Sequence, residues 1–132
     1  MYLLDTNTAS FIIKGNVPRV RQHLLKVPME ELAVSVVTEA ELLFGLARRP
    51  EATRLKIAVK EFLLRVGVLP WESEAAEQYA NLRATLEREG LPMGNLDMMI
   101  AAQALAKHAV LVSNDHAFRR VKKLKIEDWT KP

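Results

Sequence analysis

Four acidic residues stand at positions where a protein sheet could gather them into one site. Asp5 and Asp115 each come just after a short apolar run, and Glu41 lies one helical turn beyond a third such run. Asp97 falls in the first turn of a predicted helix. Each of the four also has a local explanation, because an acidic side chain at a helix N-terminus caps free N–H groups or complements the helix dipole.

Carboxylates that share a small space have a chemistry of their own. They repel one another and raise one another's pKa values, and a divalent cation removes that conflict. The chain has no cysteine and only three histidines, none spaced like paired zinc ligands, so a bound metal must take oxygen ligands. Oxygen ligands favour Mg²⁺ or Mn²⁺, and a water on such a cation can attack a phosphodiester.

Short polar side chains accompany two of the acids. Thr6 and Asn7 follow Asp5 directly, and Ser113 precedes Asp115 by two residues. Such side chains can hold a water molecule or orient a carboxylate. Turn formation and helix capping also explain each of them singly.

Glu41 has a competing neighbour and a competing role. Glu39 lies two residues earlier, and two residues on a helix point about 200° apart, so only one of them can face a site. The segment from Thr38 to Glu41 also fits a capping box, in which the Glu41 carboxylate would accept a hydrogen bond from the amide of Thr38.

The apolar pattern alternates between strands and helices along residues 1–132, so we expect a single domain. Short apolar runs predict strands at 1–4, 32–37, 67–69, 109–112 and 121–126. Periodicity and capping residues predict helices at about 6–14, 19–27, 38–49, 51–66, 73–89 and 95–107. Strands joined by helices imply an α/β fold of three layers (α/β/α) around a mainly parallel sheet of four or five strands. Ligands bind such sheets at the carboxyl ends of the strands.

Composition narrows the class of protein. No apolar run approaches the ~18 residues of a membrane span, and the first residues lack the basic stretch of a secretory signal. Together with the missing cysteines, this favours a cytoplasmic protein. The net charge of +3 is a mild bias toward a polyanionic partner.

Four motifs occur in an order and at spacings that resemble a known family. They are LLDTN, SVVTEAELLFG, GNLDMMIAA and VSND, and the likeness extends to the closing IEDW. Together they resemble a PIN-domain nuclease, and more narrowly a VapC-type toxin of a toxin–antitoxin pair. The resemblance implies a PIN-like fold and endonucleolytic cleavage of RNA, of the tRNA or rRNA class, that depends on Mg²⁺ or Mn²⁺.

The resemblance also implies roles for residues. Asp5 of DTN, Glu41 of AELLFG, Asp97 of NLDMMIAA and Asp115 of SND match the family's catalytic and metal-binding acids. The family's supporting polar positions are matched by Thr6, Asn7 and Ser113. As partners the resemblance implies a VapB-type antitoxin that covers the acidic site, an RNA substrate, and a homodimer or a hetero-oligomer with the antitoxin.

Basic residues gather in three segments, 14–21, 48–49 and 119–125. The lysines of the third segment are also typical of a solvent-exposed strand at the edge of a sheet. Arg119 and Arg120 of the same segment are favoured as contacts to an RNA backbone. Aromatic residues make up only 6% of the chain and show no spacing typical of a base-stacking platform. Recognition of a folded RNA by shape and backbone is therefore favoured.

Two other classes of protein remain as alternatives. A phosphoacceptor signalling module also places acids around Mg²⁺, but it needs adjacent acids after the first strand, where this chain has only Asp5 followed by Thr6 and Asn7. A non-catalytic PIN-like binding scaffold is the other alternative, and the presence of all four acids argues against it.

Overall fold

The computed structural model describes residues 1–132 as strands and helices that alternate along the chain. The five strands are β1 (Tyr2–Leu4), β2 (Leu32–Ser35), β3 (Gly67–Leu69), β4 (Val110–Val112) and β5 (Lys125–Glu127). The six α-helices are α1 (Thr6–Lys14), α2 (Pro18–Leu24), α3 (Val36–Ala47), α4 (Thr53–Arg65), α5 (Ser73–Arg88) and α6 (Asn95–Ala106). Two 3₁₀ segments, Met29–Glu31 and His116–Arg120, complete the list.

The strands form one sheet in the order β3-β2-β1-β4-β5, and every neighbouring pair is parallel. The predicted α/β fold is therefore confirmed, with five strands and a crossover between each pair. Leu4, the last residue of the central strand β1, pairs with Val34 of β2 and with Val112 of β4. The residues that follow these three strands consequently meet at one edge of the sheet.

Apolar side chains are buried on both faces of the sheet. Leu3 and Leu111 belong to a core cluster with α5 and α6, whereas Leu4 and Val112 belong to a second cluster that includes residues of α1, α2 and α4. The side chains of successive strand residues point to opposite faces, so a strand buried on both faces is a continuous apolar run. No helix of the chain combines the length and the apolar character that crossing a membrane requires.

Helix α6 is the central helix that its sequence predicts. Ile100, Ala101, Ala102 and Ala104 have no exposed surface, and the helix packs closely against α5. A helix buried on nearly all sides has little freedom to move. Its first turn, which carries Asp97, is therefore held in a defined place beside the sheet.

The predicted boundary between β2 and α3 is wrong by two residues. The strand ends at Ser35 and the helix begins at Val36, because the Ser35 Oγ accepts a hydrogen bond from the amide of Val37 at 3.0 Å and caps the helix. Thr38 is therefore a buried residue of the first turn and not the cap. The capping box predicted for Thr38 and Glu41 is accordingly wrong, and the Glu41 carboxylate is free for other contacts.

The largest of the other differences from the predicted bounds are at the end of α2 and at the start of β5. Helix α2 ends at Leu24 and not at residue 27. Strand β5 begins at Lys125, four residues later than predicted, because Lys123 adopts a φ of 68°, which interrupts an extended chain. The apolar residues before it, Val121 and Leu124, pack against the core from a turn.

Candidate active site

The carboxyl edge of the sheet gathers all four of the acidic residues singled out in the sequence. Asp5 follows β1, Asp115 lies three residues beyond β4, Glu41 is in the second turn of α3, and Asp97 is the third residue of α6. Each of the other three carboxylates acts on Asp97 through its charge and raises the pKa of Asp97. Residues separated by more than a hundred positions thus share one electrostatic environment.

Asp5 is the buried anchor of the cluster. Its Oδ1 accepts a hydrogen bond from the amide of Thr8 at 2.8 Å, and its Oδ2 accepts one from the Ser113 Oγ at 2.6 Å. Only 3% of Asp5 is exposed, and burial raises its pKa, although the hydrogen bonds from Ser113 and Thr8 act in the opposite direction. Ser113 also accepts from the amide of Asp115 at 3.0 Å, so one hydroxyl connects two of the acids.

Glu41 is held by hydroxyl groups. The Thr6 Oγ1 donates to the Glu41 Oε1 at 2.6 Å and lies 3.0 Å from the Thr38 Oγ1. A threonine hydroxyl has one proton to donate, so Thr38 is the donor in the second bond. Thr38 is a supporting residue that the sequence motif indicates only as a helix cap, although its spacing of three from Glu41 puts both on one face of α3. Glu39 takes no part in this network.

Asp97 differs from the other three acids because no protein group donates a hydrogen bond to its carboxylate. Half-burial is the main cause that raises its pKa to about 6, and the charges of Asp115, Glu41 and Asp5 follow in that order. A half-buried carboxylate with free oxygens and three acidic neighbours is unfavourable when ionised. The arrangement therefore favours a proton or a cation at Asp97.

Asp115 caps the 3₁₀ segment that follows it, since its Oδ1 accepts from the amide of Ala117 at 2.9 Å. It borders a small cleft of about 80 Å³ together with Arg119 and Asp128. Arg120 is directed elsewhere, because its guanidinium donates to the Pro92 carbonyl in the loop before α6. Of the two arginines expected to contact RNA, only Arg119 thus borders the acidic site.

The donor set fits a hard divalent cation. All four side chains offer carboxylate oxygens, which Mg²⁺ and Mn²⁺ prefer, and the oxygens of Asp97 have no other partner. No three acidic or histidine side chains close around a single point. Such openness is compatible with Mg²⁺, which keeps several waters in its shell and is commonly held by only one or two carboxylates.

Comparison with known proteins identifies the family. The profile of the PIN domain matches residues 2–124. The chain belongs to the PIN-domain family. Within that family it is 33% identical to the tRNA(fMet)-specific endonuclease VapC of Salmonella typhimurium, over 97% of each chain. It is 31% identical to Ribonuclease VapC2 of Rickettsia felis, over 99% of each chain.

Solved structures agree with this assignment of the PIN domain. DNA-bound VapBC from Salmonella typhimurium contains a chain with a TM-score of 0.89 and 33% identity, over 97% of both chains. VapBC2 from Rickettsia felis, bound to a DNA fragment from its promoter, contains one with a TM-score of 0.87 and 28% identity, over 96% of both. The predicted likeness to VapC-type PIN domains is therefore confirmed.

The Ser113 hydroxyl offers a test of the network in this PIN domain. We expect Ser113→Ala to lower the free energy of unfolding by about 1–2 kcal/mol, because the Asp5 carboxylate loses a hydrogen bond and the amide of Asp115 loses its acceptor. Urea unfolding measures the change. Ser73→Ala is the matched control, since Ser73 is exposed on the first turn of α5 and its hydroxyl contacts none of the acids. Equal stability of the two variants would contradict the role of Ser113.

Proposed function

We propose that this PIN domain is the endoribonuclease toxin of a toxin–antitoxin pair and that Asp5, Glu41, Asp97 and Asp115 form its catalytic site. The observation that carries the proposal is the meeting of four carboxylates at one sheet edge, with Asp97 unpaired among them. RNA of the tRNA or rRNA class is the proposed substrate, because relatives at 31–33% identity are named as ribonucleases and as a tRNA(fMet)-specific endonuclease.

The proposed cofactor is Mg²⁺ or Mn²⁺, held within the cluster of Asp5, Glu41, Asp97 and Asp115, where one or two carboxylates would bind the cation directly and the others through water. When bound, the cation supplies a polarised water and neutralises charge that develops on the phosphate. Ser113 and the amide of Thr8 hold the Asp5 carboxylate in one orientation, and Thr6 does the same for Glu41. These fixed bonds reduce the reorganisation that the site must undergo during the reaction.

A VapB-type antitoxin is the proposed partner, since similar structures are VapBC complexes. We propose further that the chain forms a homodimer or a hetero-oligomer with that antitoxin. Cellular RNA is met in the cytoplasm, so that compartment is the proposed site of action. Asn7, which is exposed on the first turn of α1, is proposed as a supporting polar residue.

Removal of divalent cations tests the proposed function. Purified protein should cleave a pool of bacterial tRNA in Mg²⁺ or Mn²⁺, and excess EDTA should reduce the rate about a hundredfold or more, because without the cation neither is the attacking water polarised nor the charge on the phosphate neutralised. Gel analysis of labelled tRNA measures the rate. Undiminished cleavage in EDTA would refute the metal mechanism. Absence both of cleavage and of calorimetric Mn²⁺ binding would instead indicate a non-catalytic scaffold.

A further inference from the structure

A groove next to the acidic site links acidic and basic side chains. It has a volume of about 250 Å³ and runs between α1 and α3 to α4. Its lining residues on and next to α1 and α3 include Thr6, Asn7, Ser10, Lys14, Glu41, Arg48 and Arg49. Glu41, which belongs to the acidic cluster, lies at one end, and the three basic residues lie toward the C-terminal ends of the two helices.

The two ends are separated by a distance that suits a nucleic-acid strand. Glu41 and Arg48 are seven residues apart, which corresponds to about 10 Å along a helix at 1.5 Å per residue. A stacked strand advances ~3.4 Å per nucleotide, so about three nucleotides span this length. A strand cut at the acids would therefore present its neighbouring phosphates to the basic end.

The charges at the basic end are available for a ligand. Lys14 and Arg48 form no ion pair, and Arg49 has only a 3.9 Å contact with Glu51 in which both side chains are mostly exposed. Exposed ion pairs of this kind contribute little to stability, so Arg49 can exchange Glu51 for a ligand at little cost. The Arg48 guanidinium lies 4.8 Å from the centre of the Phe44 ring, a contact that orients it without using its N–H donors.

One of the other basic residues near the acids is less available. Arg120 donates to the Pro92 carbonyl, whereas Arg119 borders the acidic site from the 3₁₀ segment on the side of Asp115. Basic residues at the C-terminal end of a helix also complement the helix dipole, which accounts for Lys14 and Arg48 on their own helices. That explanation does not account for both helices turning these residues toward one shared groove.

We propose that this groove binds the RNA strand on one side of the cleaved bond, with Lys14, Arg48 and Arg49 contacting its phosphates. The inference rests on the proposed ribonuclease function. Four carboxylates repel a polyanion, so a substrate needs cations close to them but outside the cluster. Asn7 and Ser10 line the groove between its ends and offer hydrogen bonds to sugar or phosphate oxygens.

Binding of fluorescently labelled bacterial tRNA in EDTA tests the proposal without cleavage. The triple variant Lys14→Ala, Arg48→Ala, Arg49→Ala should bind about 30-fold more weakly than wild type near 0.1 M salt. Its slope of log affinity against log salt should be smaller by about 2, since each neutralised phosphate of a single strand contributes about 0.7. The charge-retaining triple Lys14→Arg, Arg48→Lys, Arg49→Lys should keep most of the affinity.

The matched control removes three charges outside the groove. Lys26, Lys60 and Lys107 are exposed and unpaired, and their triple alanine variant should bind tRNA within about threefold of wild type. Equal affinities and salt slopes of the two alanine triples would overturn the proposal. The proposal would also be overturned if the groove triple variant kept its affinity for tRNA and lost only its affinity for an antitoxin peptide. Failure of wild type to cleave RNA would refute the proposed function and not the binding result, because binding is measured in EDTA.

Discussion

The Asp97→Asn variant should cleave tRNA about a thousandfold more slowly than wild type, which corresponds to about 4 kcal/mol of lost transition-state stabilisation. The carboxylate of Asp97 is the one acid of the cluster without a protein donor, and it is therefore the one most available to a cation. An amide at the same position keeps the shape and removes the charge. Cleavage of labelled tRNA in Mn²⁺ measures the rate.

The same substitution should raise stability, and the effect should depend on pH. The pKa of folded Asp97 is about 6, above the usual 3.8, so the folded state holds the proton more tightly than the unfolded state. Stability from this group is present below pH 3.8 and is lost as the pH rises through 6. In EDTA at pH 8 we expect Asp97→Asn to raise the free energy of unfolding by about 1–2 kcal/mol, after allowance for solvent screening at a partly exposed group.

At pH 4 the stability gained by Asp97→Asn over wild type should vanish, because Asp97 is then protonated in the folded wild-type protein. Thermal unfolding at the two pH values measures the difference. Glu39→Gln is the matched control. It also removes a carboxylate, but the Glu39 side chain, on the first turn of α3, takes no part in the network of the acidic site. If Asp97→Asn cleaved tRNA at the wild-type rate, Asp97 would not be the acid that holds the cation. If the variant were less stable than wild type at pH 8, ionised Asp97 would not be unfavourable in the folded state.

Trp129→Ala should destabilise the domain by about 3–5 kcal/mol, the usual cost of deleting a buried large aromatic side chain. Trp129 is 2% exposed and packs in the core cluster that contains Leu4 and Val112. Its ring stacks on His23 at 5.7 Å, and its Nε1 donates to the Glu127 Oε1 at 3.0 Å. The residues that follow β5 are thus fastened to the same core that supports β1 and β4.

Urea unfolding followed by circular dichroism measures this loss, because the substitution removes a fluorophore. Trp129→Phe should retain most of the packing and lose about 1 kcal/mol with the hydrogen bond to Glu127. If Trp129→Ala and Trp129→Phe unfolded at the same urea concentration, the ring would contribute nothing to the core.

The fold could be predicted from the sequence because its signals are local. The apolar runs of buried parallel strands and the helical periodicity between them indicate crossovers without any knowledge of the pairing. Gly15 illustrates such a signal, since its φ of 65° lies in the left-handed conformation that glycine adopts after a helix. The order of the strands in the sheet could not be predicted in this way, because it depends on contacts between residues that are distant in the sequence.

The boundary errors occurred where a single capping bond or backbone angle, which the apolar pattern does not reveal, decides where an element begins or ends. The run LAVSVV is apolar except for Ser35, and the strand ends two residues early because the Ser35 hydroxyl accepts a capping bond from the amide of Val37. The same limit applies to the candidate site. The motifs single out the acids, but no pattern in the sequence assigns Arg120 to the Pro92 carbonyl or turns Lys14 and Arg48 toward one groove.

The position of β1 at the centre of the sheet has a consequence for synthesis. The first strand made has its two neighbours at residues 32–35 and 110–112, and the Asp5 carboxylate meets Ser113 across a separation of 108 residues. Contacts of such long range form only after the intervening chain has been made. A ribosome translating this chain is therefore not exposed to a complete acidic site until residues beyond Asp115 have emerged. A partner produced in the meantime can meet the domain as it folds.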